Sequence, residues 1–333
     1  FRHLGIPTVI DRVIQQAIAQ VLNNVFDREF SMSSCGFRPL RGAHNAIFQT
    51  VGHLDKGYKW AVDMDLEKYF DTVNHERLMG KLRAKIKDSR VLSIINRILK
   101  AKVSTENGLE EVTCGVPQGG PLSPLLANIY LDELDKELEK RGHRFTRYAD
   151  DLIILCKSKR SAQRTMSNTR KYIEGKMKLK VNEAKTSVSY ITKGVKFLGY
   201  GFASKRLANG QRIVPSIHKA SRQRFKDMVR EILNRSRGKG LEAIKEELKT
   251  KLRGWCAYFK LADERSWVKD TDEWIRRRIR QLLWKLWKTI PRRMRALKSL
   301  GCKHERAYMW SMSRKGYWRI ANSPILKRTL KND

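Results

Sequence analysis

Residues 147–155 read Arg-Tyr-Ala-Asp-Asp-Leu-Ile-Ile-Leu. Two adjacent carboxylates lead straight into an apolar run that must be buried. Like charges side by side repel, and a buried charge without a partner is strongly unfavourable. The pair therefore belongs either to a solvated turn or to an oxygen cage around a divalent cation. In both cases the apolar arms from Phe145 to Cys156 predict a β-hairpin with Ala-Asp-Asp at its tip.

A second acidic strand end lies upstream. Residues 59–66 (KWAVDMDL) read as a strand; Asp65 sits near its end, followed by Leu66 and the aromatic pair Tyr69-Phe70. Phosphoryl transfer by two metal ions needs carboxylates from separate segments that converge on ions ~3.5–4 Å apart. A strand-end Asp and an Asp-Asp hairpin meet that need together, although each alone is an ordinary acidic turn. Asp63 and Asp71 share the segment. Alternation puts Asp63 on the face of Asp65, but one carboxylate more adds repulsion, so neither is assigned to a metal.

The 333 residues are 41% hydrophobic, enough for two or three domains with real cores. Lys and Arg number 70 against 34 Asp and Glu, a formal charge of +36. An excess of that size points to a polyanionic partner, above all nucleic acid. The five cysteines are odd in number and form no Cys-x-x-Cys pair, which argues against a disulfide framework or a zinc ribbon. No apolar run approaches the ~20 residues of a membrane span. A reducing cytoplasm, in a bacterial cell, and no membrane partner are expected. The chain opens on Phe1 in mid-motif and reads as a fragment.

Thr8 to Phe26 predicts an amphipathic helix through Val9, Ile10, Val13, Ile14, Ala17, Ile18, Val21, Leu22 and Val25, capped by Thr8. Ser123-Pro124 reads as the start of another, with Ser123 as N-cap and Gly142 at its end. Composition shifts near Val214-Pro215. From residue 215 onward the pattern is almost all helical, with 33 basic and 12 acidic side chains. Three helices are expected there, over 216–235, 241–261 and 267–288. A domain boundary is expected at about residue 215.

Read in order, three strings carry a resemblance: D-x-x-x-Y-F-D at 65–71, GVPQGGPLSP at 115–124 and YADD at 148–151. They resemble the palm of reverse transcriptases. RHLGIPTVIDRVIQQAI, SSCGFRPLRGAHNAI, PQGGPLSPLLANIYLDELD and KFLGYGF resemble, more narrowly, the reverse transcriptases encoded in group II introns, from residue 2 to about 202. LRGWCAYFKLAD, DEWIRRRIRQLLWKLWK and SRKGYWRIANSPIL resemble their thumb and maturase region. The implied fold is α/β (α+β): right-hand fingers and an antiparallel palm sheet over 1–214, then an all-α basic thumb/maturase domain over 215–333.

The resemblance implies roles as well. Asp65, Asp150 and Asp151, with the Leu66 carbonyl, would hold two Mg2+ ions. Phe70 would wall off a 2′-hydroxyl and so select dNTPs, unless it is only a core residue. Gln118 would contact the nucleotide, unless it is an ordinary turn residue. Arg2 and Arg12 would clamp the triphosphate, or lie solvated at a helix start. Lys185 would protonate the departing pyrophosphate, or make a surface salt bridge. Tyr148 would pack beside the primer terminus, and FLGY at 197–200 resembles the strand that grips the primer end.

The implied partners are group II intron RNA, an RNA template with a DNA primer, dNTPs and a DNA target site. In the basic end, Trp255, Tyr258, Phe259, Trp267, Trp274, Trp284 and Trp287 interleave with Arg276, Arg277, Arg278, Arg280, Lys285 and Lys288. Aromatics can stack on bases while the cations neutralise phosphates; equally, the rings can be core and the cations a wet face. Two activities stay open: RNA-directed DNA synthesis, and RNA binding by a splicing cofactor with an idle polymerase site. Family members usually carry further finger sequence before the RHLGIP string. The fragment is therefore expected to hold the site but to polymerise poorly alone.

Overall fold

In a computed structural model, residues 5–105, 108–207, 210–234, 238 and 240–330 are described. The chain divides into two units, Phe1–Pro215 and Ser216–Asp333. The first begins with α1 (Val9–Phe26), α2 (Ala43–Asp55), β1 (Trp60–Met64), α3 (Tyr69–Thr72), α4 (His75–Lys85) and α5 (Ser89–Leu99). A small hairpin, β2 (Val103–Thr105) and β3 (Gly108–Glu110), leads to α6 (Ser123–Lys140). Then come β4 (Arg144–Tyr148), β5 (Asp151–Cys156), α7 (Lys159–Gly175), β6 (Ser187–Tyr190), β7 (Tyr200–Leu207) and β8 (Gly210–Ile217).

The central sheet has the order β4-β5-β1-β6 and every pairing is antiparallel. The Leu-Ile-Ile-Leu run of β5 is buried at every position from Leu152 to Leu155, as suits an interior strand of the sheet. Val62, Met64, Leu152 and Ile154 join Leu126, Ile129, Tyr130 and Ile173 in one core. α6 is buried along most of its length, so its apolar residues run almost all round it.

Three expectations change in detail. α1 forms as predicted, and Thr8 Oγ1 accepts from Asp11 N. The face it buries is Gln15, Ala19, Leu22 and Phe26, spaced four, three and four apart. Val9, Ile10, Val13, Ile14, Val21 and Val25 are exposed. Two stripes share this helix, and the narrower one packs. At α6 the N-cap is Leu122; Ser123 is the first helical residue, and its hydroxyl donates to the Pro117 carbonyl at 2.5 Å. FLGY is a turn rather than a strand. Phe197 and Tyr200 exchange both backbone bonds, and Leu198 and Gly199 sit at φ +52° and +80°. Positive φ at both central residues is the requirement of a type I′ turn.

The second unit is helical: α8 (Lys219–Ile232), α9 (Leu241–Tyr258), α10 (Arg265–Leu286), α11 (Ile290–Ser299), α12 (His304–Ser311), α13 (Tyr317–Ile320) and α14 (Pro324–Thr329). Phe225, Val229, Ile244, Leu248 and Ile275 form one apolar cluster, and Trp284, Leu297, Ile320 and Leu326 a second. Among the described residues no helix is long and apolar enough to cross a membrane.

Candidate active site

Strand register brings the two acidic segments together. β1 pairs with β5 so that Asp63 lies opposite Ile153 and Met64 opposite Leu152. One further step of the same register puts Asp65 across from Asp151. β4 and β5 close on Tyr148 and Asp151, which leaves Ala149 and Asp150 as a two-residue turn. Ala149 is at φ +57°, the left-handed region that a primed hairpin turn uses and that costs a residue with a Cβ about 1–2 kcal/mol.

The backbone of Asp65 is pinned from the other side. Its carbonyl accepts from Asn182 N at 2.8 Å, Glu67 N donates to the Lys180 carbonyl at 2.9 Å, and Asp65 N donates to Thr186 Oγ1 at 3.4 Å. These bonds flank Leu66, which bridges to Val181. The Lys185 ammonium pairs with Asp65 Oδ2 at 3.1 Å. So Lys185 reaches the site through the salt bridge that its alternative reading named.

Electrostatics reports the crowding. Burial, then Asp151 and Asp65, pushes the Asp63 carboxyl up to about 6, with Lys196 opposing. Burial, then Asp150 and Asp65, also raises Asp151, against Lys196 and Lys185. Asp63 thus belongs to the charged cluster that its strand face predicted. Among the described residues no three His, Cys, Asp or Glu side chains form a ready metal cage. The donor set is nonetheless carboxylate and carbonyl oxygen, the chemistry Mg2+ takes and soft metals do not. A divalent ion would also relieve the repulsion that raises Asp63 and Asp151.

Phe70 and Gln118 meet through a docked loop. Tyr69 takes the interior place, its hydroxyl donating to the Ala127 carbonyl at 2.7 Å. Phe70 stays half-buried at the core's edge, its ring 5.3 Å from that of Tyr69. Val116 N donates to the Phe70 carbonyl, Gly115 N to that of Val73, and His75 Nε2 lies 2.6 Å from the Gly115 carbonyl. A Cβ on Gly115 (φ +94°) would meet the Phe70 carbonyl at 2.9 Å, so the loop sits this close only with glycine there. Gln118 Nε2 donates to Asp71 Oδ1 at 2.9 Å. Asp71, set aside as a ligand, orients the glutamine.

Tyr148 is half-buried beside the turn, its ring 6.3 Å from Phe37. Arg12 is exposed on the first turns of α1. Arg2 lies outside the described residues.

Sequence reading missed what stands behind the turn. Arg147 is 1% exposed, and its guanidinium spends all five N–H donors. Nε and Nη2 bind Asp135 Oδ1 and Oδ2 at 2.8 and 2.5 Å. Nη1 donates to Asn128 Oδ1 at 3.0 Å and to the Ala149 carbonyl at 2.9 Å, and Nη2 to Ser34 Oγ at 2.8 Å. Burial would lower Arg147, but the charge and hydrogen bonds of Asp135 outweigh it and raise it. The one available signal was a charged residue set between Phe145 and Tyr148 in an arm expected to be buried.

In the second unit several rings and cations of the basic-aromatic pattern take the packing reading. Trp284 is buried, and Trp255, Trp267 and Trp274 pack against the first cluster. Several cations are structural too. Arg280 is buried and donates to the Ala321 carbonyl at 2.9 Å. Arg277 donates to the Trp318 carbonyl and lies 3.9 Å from that indole's centroid. Tyr258, Tyr308, Tyr317 and Trp318 are exposed.

Comparison with known proteins gives two family matches. Residues 1–202 match the reverse transcriptase (RNA-dependent DNA polymerase) family, and residues 222–301 match the group II intron, maturase-specific domain. Protein YkfC of Escherichia coli (strain K12) is 30% identical over 263 residues, 67% of this chain and 69% of that one. The group II intron-encoded protein LtrA of Lactococcus lactis subsp. cremoris is 30% identical over 269 residues, 62% of this chain and 45% of LtrA. The chain thus spans under half of LtrA's length. Among solved structures, telomerase from Candida albicans in complex with a fragment of telomeric RNA aligns at TM-score 0.47 and 14% identity, over 92% of this chain and 59% of that one.

Proposed function

The chain belongs to the reverse transcriptases encoded by group II introns, and from that premise we propose that it extends a DNA primer on an RNA template. The observation that carries this reading is the register that sets Asp65 across from Asp151, beside the Asp150 turn. A protein that only bound RNA would gain nothing from clustered carboxylates facing an anionic ligand. Asp65, Asp150 and Asp151, with the Leu66 carbonyl, are the residues that would hold Mg2+. Two bound ions supply activation of the primer hydroxyl and neutralisation of the phosphate charge.

The chain's own side chains do the remaining work. Phe70 presents an aromatic edge to the sugar, and Gln118, held by Asp71, faces the nucleotide. Tyr148 packs at the primer terminus. Lys185, 3.1 Å from Asp65 Oδ2, is the residue assigned to donate to the departing pyrophosphate. Arg12, together with Arg2, is assigned to the triphosphate. The second unit binds intron RNA, assists its splicing and, with the first, acts at a DNA target. A bacterial cytoplasm is the setting that fits such an intron.

Primer extension on an RNA template with dNTPs and Mg2+, by the full-length native protein, tests the reading, wild type beside Asp150→Asn. Extension by the wild type that falls to background in the variant is expected. A second reading, a splicing cofactor with an idle polymerase site, is favoured by the separate match over 222–301. RNA binding with no extension by either protein would establish it. In the active chain, Phe70→Ala is expected to relax discrimination against ribonucleotides by about 1–3 kcal/mol, roughly 10–200-fold. Competing dNTP and NTP incorporation measures it; unchanged discrimination would return Phe70 to a packing role.

A further inference from the structure

We propose that Arg147 is a positioning residue that fixes the Ala149–Asp150 turn, and so sets Asp150 and the adjoining Asp151 for metal binding; the proposal rests on the polymerase reading. A two-residue turn is the least constrained part of a hairpin. This one carries a left-handed Ala149 and an Asp150 that repels the adjoining Asp151 of β5, so left alone it would relax. The Arg147 guanidinium opposes that relaxation from below, by holding the Ala149 carbonyl at 2.9 Å.

The guanidinium is itself immobilised. The bidentate bond to Asp135 and the bond to Asn128 tie it to α6, and Ser34 ties it to the segment before Gly36. That segment is bound to the same strand. Arg147 N donates to the Ser33 carbonyl, and Cys35 N to that of Arg147, both at 2.8 Å. Asn128 Nδ2 closes the frame on the Gly36 carbonyl at 2.8 Å. Gly36 lies so close to the turn that a Cβ there would come within 2.4 Å of Ala149 N. The turn is therefore held between α6 and residues 33–36, with one planar cation as the common fastener. Lysine cannot replace it, because a single ammonium cannot face Asp135, Asn128, Ser34 and the Ala149 carbonyl at once.

Arg147→Lys tests the proposal in the full chain bound to primer and RNA template. Mn2+ binding is read by electron paramagnetic resonance, and the Mg2+ dependence of extension is read in parallel. The expected result is at least a tenfold rise in the half-saturating metal concentration with RNA binding kept. A folded variant with wild-type metal affinity overturns the proposal. Should Arg147→Lys fail to fold, Ser34→Ala removes one of the five bonds and is expected to shift metal affinity the same way by a few-fold. Wild-type affinity in that variant likewise overturns it. A wild type that binds Mn2+ yet extends no primer defeats the polymerase reading alone, since positioning is still read from Mn2+ binding. A wild type that binds no Mn2+ defeats both.

Discussion

Arg147→Ala is expected to destabilise the chain by about 3–5 kcal/mol, the usual cost of stranding one partner of a buried ion pair. Asp135 is 0% exposed, so no water takes over the lost bonds. Burial pushes the Asp135 carboxyl up even beside the guanidinium, which pulls it back down. Without Arg147 the carboxyl rises further and takes up a proton in the folded state. A folded-state pKa above the unfolded one means stability is retained at low pH and lost as pH rises through the folded value. The loss on mutation is therefore expected to be smaller at pH 5 than at pH 8. Urea unfolding of wild type and variant at both pH values measures it. A loss below about 1 kcal/mol that does not vary with pH would mean that the pair behaves like an exposed one.

The legible parts of this chain are those whose reasons are local. Thr8 caps α1 three residues from its partner Asp11. The Asp-Asp tip and its apolar arms occupy one stretch of twelve residues, Phe145 to Cys156, and an antiparallel hairpin is the direct way to fold them. The illegible parts depend on contacts between distant residues. Arg147 finds Asp135, Asn128 and Ser34 at separations of 12, 19 and 113 residues. Gln118 finds Asp71 at 47. No periodicity encodes those pairings. α1 shows a different limit: its sequence holds two stripes, and hydropathy favours the wider one. Packing chose Ala19, Leu22 and Phe26, because small and shape-matched side chains decide how closely a helix approaches a core. FLGY misleads for a related reason. Its apolar letters suggest a strand, but Gly199 admits the left-handed backbone that turns the chain before β7 begins.

Stability of the metal-free chain is expected to fall as pH rises through about 6, because the carboxylate cluster opposes folding once it is ionised. Asp63 is raised from 3.8 to about 6 in the folded state. The folded protein thus binds more protons than the unfolded one between those values, and stability drops as they are released. By linkage the shift corresponds to roughly 3 kcal/mol, an upper bound because solvent screens a partly exposed carboxyl. Asp151 is raised as well and adds to the slope in the same direction. On the proposed reading Mg2+ reverses the argument, since it would bind the ionised form. At one hundred times its Kd it adds about 2.7 kcal/mol to the folded state, and it does so above pH 6 rather than below. Thermal unfolding from about pH 4 to pH 8, with a chelator and then with Mg2+, separates the two. Asp63→Asn is expected to flatten the chelator curve and to leave the Mg2+ stabilisation in place, if Asp63 contributes charge to the cluster and the proposed ligands are Asp65, Asp150 and Asp151. A chelator curve that rises with pH would show that Lys185 and Lys196 already neutralise the carboxylates, and the site would then have little electrostatic demand for metal ions.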